Sequence, residues 1–141
     1  MATYHLQIVT PDRKVFDGEA EKLSMRTVGG DVCILAHHID YAAPLSTGEA
    51  RVTDANGNTR AAACSGGMLS VSGGEVRVIA TTFEWADEID LPRAERARDE
   101  AQAKLDKLSR TDKEYALVEA KLKRALVRTS VKGRSEERRV G

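Results

Sequence analysis

At Asp90 the hydrophobic period of the chain changes, and no other feature constrains the fold as much. Before this point apolar residues alternate with polar ones in short runs broken by glycine pairs; after it they recur every three or four residues, with no glycine until Gly133. Alternation is the pattern of a strand with one buried face, and a spacing of three to four that of an amphipathic helix. The chain therefore reads as a strand domain over residues 1–88 and a helical hairpin over 89–131. The charged segment 132–141 is expected to be disordered.

In the strand half, Tyr4, Leu6 and Ile8 alternate with His5, Gln7 and Val9, and Leu23 and Met25 share one face of residues 20–28. Short runs are also expected at 14–16, 32–35, 49–54, 59–65, 68–71 and 75–80. Asp17-Gly18, Gly29-Gly30, Asn56-Gly57, Gly66-Gly67 and Gly73-Gly74 serve as turns between them. Eight to ten short strands without βαβ spacing predict an antiparallel sandwich or barrel.

In the helical half, Asp90 is a predicted cap and Pro92 sits in the first turn, where no N–H is needed. Ala94, Ala97, Ala101, Leu105 and Leu108 form a narrow apolar face. Thr111 to Glu114 has the pattern of a capping box for a second helix, and Ser109-Arg110 reads as a short connection between antiparallel partners. Tyr115, Val118, Leu122 and Ala125 form the second stripe, with Leu117 and Leu126 beside it. Helices of roughly 18 residues with an alanine stripe bury little and are marginal alone, so the hairpin is expected to be a mobile appendage that needs a docking surface.

The chain carries 22 Lys/Arg and 22 Asp/Glu, a balance that argues against a general nucleic-acid or membrane-surface binder. The charge is segregated: residues 1–89 hold 7 basic and 12 acidic residues, net −5, and residues 90–141 hold 15 and 10, net +5. No window approaches the roughly 20 apolar residues of a membrane span, so no direct membrane insertion is expected. Cys33 and Cys64, without a CxxC spacing or a signal peptide, read as reduced, buried core residues.

Candidate chemistry is sparse. His37-His38 with Asp40 lacks further ligands at a metal-site spacing, and neighbouring histidines in a strand point opposite ways, so a loop or interface role is expected. Ser65-Gly66-Gly67 lacks the P-loop pattern, no nucleophile elbow is present, and Asp99-Glu100 reads as exposed helix surface. Nothing supports an enzyme. Arg93, one turn into the first helix, and Arg124 and Arg128, four apart on the second, would converge if the hairpin closes. That is a setting for phosphate oxygens or, more simply, a basic patch.

These residues carry a resemblance. Tyr4-His5-Leu6, Phe16-Asp17-Gly18, Cys64 to Val71, Val76 to Ala80, Ile89 to Ala94 and Lys123 to Arg128 in this order resemble the epsilon-subunit family of bacterial rotary F-type ATP synthases over about residues 3–131. The resemblance implies a flattened β-sandwich of about ten antiparallel strands followed by a two-helix hairpin. The implied function is that of a non-catalytic central-stalk (rotor) subunit of a proton-translocating synthase. It would couple proton flow to ATP synthesis and lie peripherally on the cytoplasmic side of the cell membrane as part of the complex. The sandwich would bind the gamma subunit and the c-subunit ring, with Asp31, His37, His38, Asp40 and Tyr41 as interface candidates. The hairpin would inhibit ATP hydrolysis through Lys121, Lys123, Arg124 and Arg128 against the alpha and beta subunits. No cofactor is required. ATP as a regulatory ligand would use Glu84, Ile89, Asp90, Arg93, Ala94, Arg124 and Arg128. Two departures stand out: Glu100 replaces a basic residue of the family's ATP-binding pattern, and Ala36-His37 replace a proline-glycine turn. The alternative reading is a free-standing ATP-sensing protein whose hairpin closes on nucleotide.

Overall fold

The computed structural model describes residues 2–140, with side chains through Ser135. The chain divides into two compact units, Met1–Trp85 and Ala86–Gly141.

The first unit contains seven strands: β1 (Tyr4–Val9), β2 (Lys14–Thr27), β3 (Gly30–Leu35), β4 (Tyr41–Pro44), β5 (Gly48–Asp54), β6 (Thr59–Ser72) and β7 (Glu75–Trp85). Their pairing closes on itself, since the order β1-β7-β6-β5-β2 returns to β1 through a β1–β2 pairing, with β3 attached to β2 and β4 to β6. This is a flattened sandwich in which the 14-residue strands β2 and β6 serve both layers. β2 pairs with β1 through Lys14–Ala20 and then with β5 and β3. β6 pairs with β5 through Thr59–Cys64 and with β4 through Met68–Val71.

Seven strands stand where about ten were expected because glycines bend strands here rather than end them. Runs expected as separate pieces on either side of Gly18 are one strand, as are those on either side of Gly66-Gly67. Gly66 and Gly67 have φ of 67° and 114°, and a Cβ on Gly67 would lie 2.0 Å from the Ile79 carbonyl oxygen. Only a residue without a side chain allows that approach between β6 and β7. β4 gave no sequence signal because its four residues straddle a short edge position ending in proline. The sandwich is also not wholly antiparallel, because Leu6–Val9 runs parallel to Val76–Ile79.

The expected alternation holds inside these strands. Leu6, Ile8, Leu23, Ile34, Leu69 and Val78 are fully buried in one continuous core. Each such side chain contributes about 1.5–3 kcal/mol relative to exposure. Tyr4 lies at the edge of this core and donates its hydroxyl to the Ile34 carbonyl at 2.8 Å; burial, and then the nearby Cys33, push its phenol above the usual range. Phe83 and Trp85 meet edge-to-face at 5.1 Å, and the Arg60 guanidinium lies 3.9 Å from the Trp85 ring centroid. Cys64 is buried as expected, with its thiol pushed up to about 12 by desolvation, whereas Cys33 is exposed on the outer phase of β3.

The second unit opens with a single 3₁₀ turn, Ala86–Glu88, followed by α1 (Leu91–Asp106) and α2 (Tyr115–Val140). Asp90 caps α1 as its sequence position predicts, accepting from the Arg93 N–H at 3.2 Å. The seam of α1 differs by one position from the expected face: Ala94, Ala101, Leu105 and Leu108 face inward, but Ala97 is exposed and the half-buried Arg98 takes the intervening place. The methylene stem of an arginine can cover apolar surface while its head stays polar, and Arg98 Nε donates to Asp99 at 3.1 Å. Ala101, Val118 and Leu122 make the central cluster, with Leu105 and Leu108 against it. Leu117 and Leu126 point to solvent.

The connection is longer than Ser109-Arg110. Helix α1 ends at Asp106, and Asp112 accepts from the Ser109 N–H at 2.7 Å, a turn that occupies the predicted capping box before α2 begins at Tyr115. The segment expected to be disordered from residue 132 instead continues α2 to Val140, Gly141 lying outside the described residues. Val131 is fully buried, Arg134 donates to Ser130 one turn back at 2.9 Å, and Lys, Arg and Glu are good helix formers even without an apolar stripe.

Candidate functional site

The basic constellation belongs to the helical unit. Ile89, buried, and Asp90, exposed, precede α1; Arg93 and Ala94 occupy its first turn, Arg93 exposed and Ala94 fully buried. The first N–H groups of a helix lack intrahelical partners and carry the positive end of its dipole. Asp90 satisfies one of them, leaving a polar, electropositive edge beside Arg93. On α2, Arg124 and Arg128 share a half-buried face, while Lys121 and Lys123 are exposed. The 3₁₀ turn packs against α2, and Ala101 packs against Val118 and Leu122. The helices thus run antiparallel, and the start of α1 lies alongside the second half of α2. Glu84 is elsewhere: it is half-buried in β7 of the strand unit, opposite Ala63, and is partnered. Glu100 is exposed, as read from the sequence.

His37, His38, Asp40 and Tyr41 lie in or beside the β3–β4 loop, whereas Asp31 stands at the opposite end of β3, next to the β2–β3 turn. Asp31 accepts from Arg26 Nε at 3.1 Å, a contact that raises the arginine's already high pKa. His38 bonds through Nδ1 to the Ile39 carbonyl oxygen at 2.7 Å and meets Tyr41 edge-on at 5.8 Å. Asp40 accepts from the Gly73 N–H at 3.0 Å, tying this loop to the β6–β7 turn. His37 has φ 67°, the only non-glycine residue with positive φ among the described residues. It therefore fills a left-handed position that suits glycine. Among the described residues no group of three or more His, Cys, Asp or Glu side chains is arranged to hold a metal ion.

A further surface escaped the sequence reading. Pro44 pairs with Met68, Met68 with Ile79 and Ile79 with Val9, so one apolar row crosses β4, β6, β7 and β1 on a single outer face. Met68 and Ile79 remain 44% and 51% exposed. Both stand on the phase opposite to buried Leu69 and Val78. Large apolar residues on the polar phase of two strands were the available signal.

A closed strand sandwich followed by a charged two-helix unit is a two-part build, and each part has a counterpart among known families. Residues 3–86 match the family model described as ATP synthase, Delta/Epsilon chain, beta-sandwich domain, and residues 87–133 that of the long alpha-helix domain. The chain belongs to the ATP synthase delta/epsilon-chain family. It is 33% identical to the ATP synthase epsilon chain of Caldanaerobacter subterraneus over 96% of this chain and 97% of that one. It is 41% identical to the epsilon chain of Ruminococcus albus over 93% and 97%. The sodium-ion-specific epsilon chain of Propionigenium modestum is 37% identical over 93% and 94%. In fold it is similar to a chain of the Euglena gracilis mitochondrial ATP synthase (OSCP/F1/c-ring), at TM-score 0.76 and 24% identity over 87% of this chain and 77% of that one.

Proposed function

We propose that this chain, a non-catalytic central-stalk subunit of an F-type ATP synthase by family, divides its work between its two units. The sandwich is the coupling platform. It binds the gamma subunit and the c-subunit ring, using His37, His38, Asp40 and Tyr41 around the β3–β4 loop, Asp31 at the other end of β3, and the apolar row from Pro44 to Val9. The helical unit regulates. Its Lys121, Lys123, Arg124 and Arg128 approach acidic segments of the alpha and beta subunits and hinder ATP hydrolysis. The observation that carries this reading is the contrast between a self-sufficient strand core and a thin-cored helical unit with net charge +5 over residues 90–141. A field of that sign steers association with an acidic surface. Among the described residues no helix is long and apolar enough to cross a membrane. In this reading the chain lies peripherally, on the cytoplasmic side, held by its partners.

Reassembly of the synthase with residues 1–88 in place of the full chain tests the division. Ion-driven ATP synthesis is expected to persist and ATP hydrolysis to rise. Inhibition as complete as with the intact chain would overturn the assignment to the helices. ATP enters this reading as a regulatory ligand of Ile89, Asp90, Arg93, Ala94, Arg124 and Arg128. It would favour the closed hairpin in proportion to its differential affinity for that state. Calorimetric titration of the full chain is expected to give micromolar-to-millimolar binding, about −8 to −4 kcal/mol, weakened by Arg93→Ala. No heat at several millimolar ATP would leave these arginines as docking residues.

A further inference from the structure

β1 sits between an antiparallel neighbour, β2, and a parallel one, β7, and the β7 ladder spans only Leu6–Val9 against Val76–Ile79. Next to that short ladder His5 reaches in both directions. Its Nε2 lies 2.5 Å from Asp17 Oδ1 on β2, and its Nδ1 lies 2.6 Å from Glu75 Oε2 on β7. A neutral imidazole has one N–H and one bare nitrogen, so it can donate to only one of two carboxylates; only the imidazolium donates to both. The surroundings are charged on both sides. From β2 come Asp17, Glu19 directly opposite His5, and Lys14, whose Nζ donates to the other Asp17 oxygen at 3.1 Å. From β7 come Glu75 and Arg77, the latter paired with Gln7. Lys14 and the imidazolium together favour an ionised Asp17, whose pKa is lowered first by the His5 hydrogen bond and then by Lys14.

We propose that the His5 imidazolium is a protonation-dependent clip that ties β1 to β2 through Asp17 and to β7 through Glu75. Loss of its proton turns one of the two contacts into a bare nitrogen facing a carboxylate oxygen, and the short parallel ladder loosens. The two hydrogen bonds, to Asp17 first and to Glu75 second, raise the His5 pKa above its ordinary value. A raised folded-state value means the folded chain holds the proton more tightly than the unfolded one. The clip's contribution is therefore complete below the ordinary histidine pKa and is lost as pH rises through the folded value.

The test is an NMR titration of the His5 imidazole in the full chain, with amide exchange followed across the same pH range. The His5 midpoint is expected above that of a peptide histidine and lower in both Asp17→Asn and Glu75→Gln. Protection factors of the ladder amides, corrected for intrinsic exchange, should fall severalfold through the midpoint in the native chain and stay level in His5→Gln. A midpoint at or below the peptide value overturns the clip, and so does ladder protection that is unaltered across the titration. Should His5→Gln fail to fold, the two carboxylate variants decide by the same criteria, because each leaves the histidine in place.

Discussion

The strand unit and the helical unit solve the same problem, burial of an apolar face, with different material. In the sandwich, Leu6, Ile8, Leu23, Ile34, Leu69 and Val78 are fully buried among strands that close on themselves. In the helical unit one cluster is Ala101, Val118 and Leu122 with half-buried leucines at its margin, Ile89, Ala94, Ala125 and Val131 are buried besides, and an arginine stem lies in the α1 seam. At about 25 cal/mol per Å² of apolar surface, a methyl group cannot replace a leucine side chain. The first unit can hold its shape against load. In the proposed division of work the second would change partners at small cost, which is what a regulatory element requires and a coupling platform must avoid.

Separating the units gives the largest expected effect. Residues 1–88 should unfold in one cooperative transition, followed by the fluorescence of Trp85, the only tryptophan and part of the strand core. Residues 89–141 alone should lose most of their helical circular dichroism and melt without a sharp transition, as expected of isolated helices with little packing. A cooperative melt in the helical fragment would break the contrast. Next in size are matched core truncations in the full chain. Leu69→Ala should cost about 3–5 kcal/mol by denaturant unfolding, the range for a fully buried leucine, whereas Leu122→Ala should cost about 1–2 kcal/mol, below that range because α2 lies over a thin core. Equal costs would mean the hairpin is packed as firmly as the sandwich. The smallest effect belongs to the β3–β4 loop. His37→Gly should raise stability by about 0.5 kcal/mol, because relief of a left-handed residue, about 1–2 kcal/mol, outweighs the added chain entropy of glycine, about 0.5–1 kcal/mol. A loss of stability would show that the imidazole makes a contact worth more than the strain.

Much of this was legible in the residues, and the exceptions have physical causes. Alternation marked the inward phase of β1, β2 and β7, because burial of one sheet face leaves no other choice. Asp90 and Pro92 marked the start of α1 because capping is local chemistry. Strand number was misread because a glycine pair looks the same in sequence when it ends a strand as when it bends one, and the contact that decides, Gly67 against Ile79, is 12 residues away along the chain. The seam of α1 was displaced because arginine counts as polar while its stem packs as apolar. At the site, the residues around Asp90 stand together because they are neighbours in sequence. The row Pro44, Met68, Ile79 and Val9 depends on registers between four strands, which no local pattern carries.

The parallel pairing of β1 with β7 has a further consequence, for the order of events as the chain is made. His5 and Glu75 are separated by 70 residues, so the first strand emerges from the ribosome long before one of its two neighbours exists. It can pair early with β2, but its other edge stays open, a bare row of N–H and C=O groups, until the last strand arrives. Closing a loop of that length carries an entropic cost before any contact compensates for it. Completion of the sandwich is thereby a late, slow event in the life of a nascent chain, and the helices, whose contacts are mostly with near neighbours, follow within moments. Among the strands of the sandwich, β1 is the one whose open edge waits longest for its partner.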